Sequence, residues 1–269
     1  MNIKKWLAMG LATIAVVAFT AGCGSNTDKA AGGELPKKMV IGLDDNFPPM
    51  GFRDDKGNIV GFDIDLAKEA AKRAGMEVEF KAIDWDSKEA ELKSKRIDVL
   101  WNGVTVTPDR EKNILFSTPY IQDKQIIVVR NDSSIQGKAD LTGKVVGTQQ
   151  GSNVEPILEQ DAKERGIKEV KKYGDFVNAF MDLELGRIDA LVVDGIVGQY
   201  TMTQKPGKFR VANDDYGADK MAVGFRLEDK ALQEKVNSVL KEMMNDGTAD
   251  KIAEKWFGNS NLLNKDAFK

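Results

Sequence analysis

Short apolar runs alternate with amphipathic stretches along the chain after residue 36, and this alternation predicts an α/β fold. The clearest helix is 64–74, whose leucine and alanines fall on one face, with Asp63 placed to cap it and Gly75 placed to end it. Further helices are predicted at 88–94, 154–165, 176–185, 230–245 and 248–257. Strands are predicted at 39–43, 78–82, 97–100, 126–130, 144–147, 188–193, 208–212 and 222–226.

A short motif occurs twice, as KRIDVL at 95–100 and as GRIDAL at 186–191. Each copy lies where a predicted helix ends and a strand begins, so the repeat indicates two similar α/β units, each with its own sheet. The helix pair at 230–257 follows the last strand, which places it on the first unit again and requires two crossings between the units. We therefore expect a first lobe of 36–124 plus 221–258, a second lobe of 125–220 and a C-terminal tail of 259–269.

The N-terminus has the layout of a secretory signal, with lysines at 4 and 5, an apolar run at 6–19 and Ala-Gly-Cys ending at Cys23. Ala-Gly-Cys resembles the lipobox of bacterial lipoproteins, although Thr20 stands where that box usually has leucine. We expect a signal peptide of 1–22, lipidation of Cys23 and a flexible tether of 23–35. The alternative, a transmembrane anchor, would need about 18 to 20 apolar residues. The protein is expected on the extracytoplasmic face of the cell membrane, held by its lipid.

The composition excludes several kinds of chemistry. The 269 residues include no histidine and one cysteine, so the chain has no histidine base, no internal disulfide and no thiolate metal site. A net charge of −3 makes nucleic acid an unfavourable partner. We expect no catalytic residue, no metal and no cofactor.

The stretch 97–110 (IDVLWNGVTVTPDR) runs from a strand of buried type into a polar turn and ends in Arg110. Asn102, Gly103 and Thr105 offer an amide, an open backbone and a hydroxyl at the strand end, where α/β proteins bind ligands. A proline two residues before Arg110 suits the first turn of a helix, so we expect exposed backbone N–H groups beside the arginine. An arginine fork grips a carboxylate with two parallel bonds, which favours a small carboxylate as the ligand. The alternative is an arginine in a surface ion pair.

A second anion site is predicted at QQGSN, residues 149–153. This loop follows a strand and precedes the helix 154–165, whose first N–H groups would point toward it. Together with Arg110, it gives each predicted lobe one anion site.

Five segments together resemble a known family. They are GFDIDL (61–66), the stretch 96–110, FSTPY (116–120), 146–152 and 186–194. Their order is similar to that in the extracytoplasmic substrate-binding proteins of polar amino-acid ABC transporters, solute-binding protein family 3. The resemblance implies two Rossmann-like α/β lobes joined by two crossover strands, the periplasmic-binding-protein type II fold. Such lobes close on an L-amino acid and deliver it to an ABC permease, and we expect a monomer without enzymatic activity.

The resemblance also implies a role for each candidate site residue. Arg110 would hold the ligand α-carboxylate, and Asp194 would take the α-ammonium. The other implied ligand-binding residues are Thr105, the Gly103 backbone, Ser152 and Asn153 at the carboxylate, Phe47 and Trp85 around the ligand side chain, Asp44 near its far end, and Asn102 and Gln150 as further lining.

Other interpretations of these residues stay open on the sequence. Asp194 could cap the segment after it, Asp44 could be a turn residue, and Phe47 and Trp85 could belong to the core. Asp44 beside two aromatic rings suits a guanidinium or an ammonium, so we rank arginine or lysine slightly ahead of glutamine, with cystine last. The alternative functions are a dehydratase-like enzyme on the same scaffold and a ligand-sensing partner of a signalling receptor.

Replacing Cys23 with serine removes the thiol that would carry the lipid. We expect the Cys23→Ser protein to be released from membranes or to remain an uncleaved precursor. Fractionation of membranes and growth medium, followed by immunoblotting, measures this. Wild-type protein found entirely in the medium would contradict the lipid anchor.

Overall fold

The computed structural model describes residues 35–269. The predicted signal peptide, Cys23 and all but the last residue of the predicted tether lie outside the described residues. No helix within 35–269 has both the length and the apolar character that crossing a membrane requires.

The described strands are β1 (Lys38–Leu43), β2 (Asn46–Phe47), β3 (Gly51–Arg53), β4 (Ile59–Val60), β5 (Glu77–Ala82), β6 (Val99–Thr105), β7 (Leu115–Phe116), β8 (Ile121–Arg130), β9 (Val145–Gln149), β10 (Glu169–Tyr173), β11 (Ala190–Asp194) and β12 (Phe209–Phe225). The α-helices are α1 (Phe62–Ala74), α2 (Lys88–Lys93), α3 (Glu155–Arg165), α4 (Phe176–Glu184), α5 (Gly195–Gln204), α6 (Lys230–Asn245) and α7 (Thr248–Phe257). Most predicted elements are confirmed to within a few residues, and Gly75 ends α1 in the left-handed conformation as predicted. The sequence pattern missed α5, because its apolar residues do not gather on one face.

One mixed sheet runs through the described chain in the order β10-β9-β11-β8-β12-β6-β1-β5. β8 and β12 pair antiparallel along most of their length, and they carry the chain between the lobes. The expectation of a separate sheet for each lobe is therefore wrong, because the two crossover strands join both sets of strands into one hydrogen-bonded path. The predicted strands 208–212 and 222–226 are the two ends of β12.

Two α/β lobes flank the crossover strands. β1, β5 and β6 pack with α1, α6 and α7 in the first lobe, and β9, β10 and β11 pack with α3, α4 and α5 in the second. The predicted lobe boundaries after 124 and 220 fall inside β8 and β12 and stay a prediction. Residues 259–269, predicted as a tail, contact the first lobe, since Leu263 bridges to Ile121 and Phe268 is buried in the core.

Asp63 fastens helix α1 to strand β6. The helix begins at Phe62 with Gly61 as its N-cap, so Asp63 is not the cap that the sequence predicted. Its carboxylate instead accepts hydrogen bonds from the Gly103 backbone N–H and the Tyr120 hydroxyl, each at 2.7 Å. Asp63 is fully buried, and burial raises its pKa to about 7. Both partners are distant in sequence, so no local pattern indicated this contact.

Asp63→Ala is expected to lower the free energy of unfolding by about 2 to 4 kcal/mol, because it leaves two buried donors without an acceptor. Urea unfolding followed by circular dichroism measures the change. Glu69→Ala is the matched control, because Glu69 lies on the same helix and pairs with Arg73 near the surface. We expect this control to lose less than about 1 kcal/mol. Equal losses in the two variants would contradict the role given to Asp63.

Candidate functional site

The polar end of β6 forms the floor of the cleft between the lobes. Asn102, Gly103 and Thr105 continue the strand rather than forming a loop after it, and all three are buried. Gly103 has a φ of 59°, and a Cβ there would come within 2.9 Å of the Phe47 ring, so this close approach requires glycine. Asn102 Oδ1 accepts a hydrogen bond from the Asp44 N–H at 3.1 Å, which connects the floor to the end of β1.

Arg110 lies in a single 3₁₀ turn, Arg110–Lys112, and not at the start of an α-helix. The predicted helix-start anion site beside it is therefore wrong, because three residues are too few to align their N–H groups. The side chain is 7% exposed. Its Nη1 donates to the Thr105 carbonyl at 2.9 Å, and its Nη2 donates to the Gly151 carbonyl of the second lobe at 3.0 Å. Its hydrogen bonds within the described chain thus go to backbone carbonyls in the cleft, unlike those of a surface ion pair.

The loop after β9 reaches the first lobe through Gln149. Gln149 is 1% exposed and its Nε2 donates to Asp44 Oδ2 at 2.6 Å. Gln150, the predicted lining residue, is exposed and donates to the Asp86 carboxylate at 2.9 Å on the rim. Successive residues of a strand face opposite sides. Since β9 runs two residues further than predicted, the sequence pattern did not show which glutamine faces the cleft.

Ser152 and Asn153 lie just ahead of α3. This helix begins at Glu155, one residue later than predicted. Glu155 Oε2 accepts the Gly151 N–H at 2.6 Å, so one N–H of this turn already has a carboxylate partner. Asn153 Nδ2 donates to Asp219 Oδ2 at 3.3 Å, and Ser152 is half-buried beside it.

Lys88 is a second cation in the cleft that the sequence did not indicate. It is 4% exposed, and its Nζ donates to the Gly151 carbonyl at 2.8 Å and to the Trp85 carbonyl at 3.2 Å. Lys88 and Arg110 therefore converge on one neutral oxygen, the Gly151 carbonyl. Burial, together with the neighbouring guanidinium, lowers the pKa of Lys88 to about 8. The one local signal for Lys88 was its position three residues after Trp85.

Asp44 is a buried carboxylate that contacts no cation among residues 35–269. It is 6% exposed; besides Gln149, its partner is the Asn46 N–H at 2.9 Å. That bond closes a turn, so the turn role left open by the sequence is also present. Burial raises the pKa of Asp44 to about 6. In the loop after β9, Gln149 donates to Asp44, and the Gly151 carbonyl accepts from Arg110. Gly151 is two residues, or about 7 Å, further along the chain than Gln149.

Phe47 and Trp85 fill the core role that the sequence left as one alternative, and their contact with a ligand side chain stays a prediction. Both are buried and belong to apolar clusters. Phe47 also packs on Phe176 of the second lobe, with ring centroids 5.9 Å apart. The Lys88 ammonium lies 5.2 Å from the Trp85 ring centroid, so the indole already has a cation–π contact.

Asp194 ends β11 and is the N-cap residue of α5, the position that the sequence left open, but its side chain makes no capping hydrogen bond to the helix. Asp194 is 5% exposed, and its Oδ1 accepts from Gln125 Nε2 at 2.6 Å. Burial and the nearby carboxylates of Asp219 and Asp123 raise its pKa well above the usual value. The sequence did not indicate these three neighbours, because they lie on crossover strands whose pattern is that of ordinary strands.

A network of contacts brings the predicted residues together at the cleft, with Gln150 on its rim. Lys88 and Arg110 both donate to the Gly151 carbonyl. Asp194 lies near other carboxylates, and Asp44 contacts no cation among the described residues. Such an arrangement can hold a molecule that carries one anionic and two cationic groups. Within 35–269 no cluster of acidic side chains is arranged to hold a metal ion. A pocket of about 680 Å³ between α5 and α7 contains none of the predicted residues.

Residues 39–259 match the family model of the bacterial extracellular solute-binding proteins, family 3. The arginine-binding extracellular protein ArtP of Bacillus subtilis strain 168 is 35% identical over 259 residues, which cover 95% of this chain and 98% of that protein. The L-cystine-binding protein TcyJ of Escherichia coli strain K12 is 36% identical over 222 residues, which cover 82% of each chain.

Solved structures show the same likeness. A substrate-binding protein of an ABC uptake transporter from Streptococcus pneumoniae, with bound histidine, is 35% identical with a TM-score of 0.81, and the match covers 85% of this chain and 95% of that one. An ancestral arginine-binding protein, solved with arginine and with glutamine, is 41% identical with a TM-score of 0.79, and the match covers 84% of this chain and 100% of that one. The chain therefore belongs to the bacterial extracellular solute-binding proteins of family 3 and has their two-lobed type II periplasmic-binding-protein fold.

Proposed function

We propose that this protein captures a cationic L-amino acid, arginine or lysine, between its lobes and delivers it to an ABC permease. Asp44 is the observation that carries the choice of a cationic ligand, because its carboxylate is buried and bonded to an amide and an N–H instead of a cation. A ligand guanidinium or ammonium would supply the missing charge and return the pKa of Asp44 toward its usual value. Glutamine ranks second and cystine third, since the glutamine side chain is neutral and the far half of cystine, which carries an ammonium and a carboxylate, has no net positive charge.

The balance of charges in the cleft supports this ranking. Arg110 and Lys88 suit the ligand α-carboxylate, and Asp194 with its neighbour Asp219 suits the α-ammonium. These groups together match a zwitterion, so Asp44 is left as one negative charge for the ligand side chain. The Asp175 carboxylate near Asp44 adds to the negative potential at that end.

The relatives support a polar amino acid and differ in which one they bind. The relative from Bacillus subtilis is named for arginine, the one from Escherichia coli for cystine, and the ancestral protein was solved with both arginine and glutamine. All of these ligands share the α-carboxylate and the α-ammonium. The side-chain end of the cleft, where Asp44 lies, is therefore where the choice is made.

Delivery for transport is favoured over the dehydratase-like alternative. The relatives are solute-binding proteins, and each polar group placed in the cleft has a use in binding, which leaves no spare acid–base pair for catalysis. A lipid on Cys23 would hold the monomer at the extracytoplasmic face of the membrane, next to the permease.

Arg110→Ala is expected to raise the Kd for L-arginine by about two to four decades, equivalent to about 3 to 5 kcal/mol, because the ligand carboxylate loses its main charge partner in a desolvated place. Arg110→Lys keeps the charge but loses the planar fork, so it should stay clearly impaired. Isothermal calorimetry with L-arginine and with its α-amide measures both. The α-amide of L-arginine lacks the carboxylate, so removal of Arg110 should lower its affinity far less. Equal losses for the two ligands would place Arg110 outside the site.

Asp44→Asn is expected to weaken L-arginine by about tenfold to a hundredfold, because it removes a charge-assisted bond worth about 1.5 to 3 kcal/mol. The Kd of this variant for L-glutamine should change by less than about threefold. A thermal-shift screen of the proteinogenic amino acids plus cystine identifies the ligands, and calorimetry gives the Kd values. Asp45→Asn is the matched control, because Asp45 is adjacent and already pairs with Arg53. A wild-type preference for glutamine, or equal losses for both ligands in Asp44→Asn, would refute the cationic ligand.

A further inference from the structure

Two carboxylates from different strands share one hydrogen-bond donor beside the proposed ammonium position. Gln125 Nε2 donates to Asp194 Oδ1 at 2.6 Å and to Asp219 Oδ2 at 2.8 Å. The two acceptor oxygens are therefore no more than about 5.5 Å apart. At that distance in a buried site, two ionised carboxylates repel each other strongly.

The same place has buried acceptors without donors. Gln125 is 2% exposed, and its Oε1 has no hydrogen-bond partner within the described chain. Asp219 Oδ1 also has no partner there with hydrogen-bond geometry, although the Thr105 side chain is near enough to favour the ionised form of Asp219. Both atoms can only accept a hydrogen bond when Asp219 is ionised. The Gln125 amide cannot be turned round, because its oxygen would then face both carboxylates. These two acceptors suit a group that carries several N–H donors.

The groups around Asp219 are mostly acidic. Asp123 on β8 lies directly opposite Asp219 on β12, and like charges in such a pair are destabilising. Asp123 itself accepts the Ile196 N–H at 3.2 Å. The nearby cation is the Arg110 guanidinium, which attracts Asp219, while Lys124 pairs with Asp215 further along.

We infer that Asp219 and Gln125, on the two crossover strands, bind the ligand α-ammonium together with Asp194, and that the ammonium displaces a proton held by the two carboxylates. This inference rests on the proposed capture of an amino acid. A protonated amine has three N–H donors, which match Asp194, Asp219 Oδ1 and Gln125 Oε1. The proton on the carboxylate pair passes to solvent as the ammonium takes its place.

The direction of the titration agrees with this exchange. Burial and the mutual repulsion of the carboxylates raise the pKa of Asp194, and burial raises the pKa of Asp219. An ammonium favours the ionised pair and lowers both pKa values on binding. Affinity should therefore rise with pH until the pair is fully ionised in the free protein, and should fall again at the higher pH where Lys88 or the ligand ammonium loses its proton.

Calorimetry in two buffers of different ionisation enthalpy tests the inference, with L-arginine and L-glutamine as probes. Both probes carry the α-ammonium, so the result does not depend on the side chain that the site prefers. Wild type should release up to about one proton on binding. Asp219→Asn should release fewer protons and bind L-arginine about tenfold or more weakly. Asp215→Asn, an exposed position on the same strand, is the control and should behave as wild type.

A second comparison tests whether Asp219 binds the ammonium or only holds Asn153 in place through their hydrogen bond. The probe is 5-guanidinopentanoate, which is L-arginine without its α-ammonium. Asp219→Asn should raise the Kd for 5-guanidinopentanoate by less than about threefold. Asn153→Ala should raise the Kd for L-arginine and for 5-guanidinopentanoate by the same factor, and the proton release on binding L-arginine should not change. Unchanged proton release in Asp219→Asn, or equal losses for both probes, would overturn the inference. Wild type that binds neither amino acid would instead refute the proposed function and remove the basis of the inference.

Discussion

The cleft contains buried charged side chains that contact no opposite charge within the described chain, and this electrostatic imbalance is the constraint on which ligand binding depends. Asp44, Arg110 and Asp194 are each at most 7% exposed, and their hydrogen bonds within the described chain go to amides, an N–H and carbonyls. Charges that are buried in this way are costly unless they are compensated. The proposed ligand, with one anionic and two cationic groups, would supply the compensation. It would therefore take part in the electrostatic balance of the cleft, and its binding should favour the state in which the lobes are in contact.

Backbone groups fix the positions of these charges. Arg110 and Lys88 both donate to the Gly151 carbonyl, and Asp63 holds the Gly103 N–H at the bend of β6. Backbone atoms in or beside a sheet are constrained by its ladder, whereas long side chains would lose rotamer freedom to hold the same geometry. These backbone contacts restrict the side chains that carry the charges, so less rotamer freedom remains to be lost when a ligand is held.

The inferred ammonium site would link ligand recognition to the crossover strands. Gln125 and Asp219 lie on β8 and β12, the strands that join the lobes, and Asp219 also accepts from Asn153 of the second lobe. Neutralising the repulsion between carboxylates at this point would stabilise the pairing of the crossover strands as well as the bound ligand.

The sequence by itself determined the fold class, most of the elements and much of the cleft. Hydrophobic period, glycine stops and strand-end polar residues are local signals, and they located the helices 230–245 and 248–257 and the strand that carries Asn102 and Gly103. The family resemblance then assigned roles to Arg110 and Asp194, which stay proposals. Only the tertiary structure decided which of Gln149 and Gln150 faces the cleft, because that depends on where β9 ends. It also placed Asp63 against Gly103, Lys88 against Gly151 and Asp219 beside Asp194. The physical reason is that a local pattern sets the period of the backbone, whereas the partner of a buried polar side chain is set by the packing of segments that are distant in sequence.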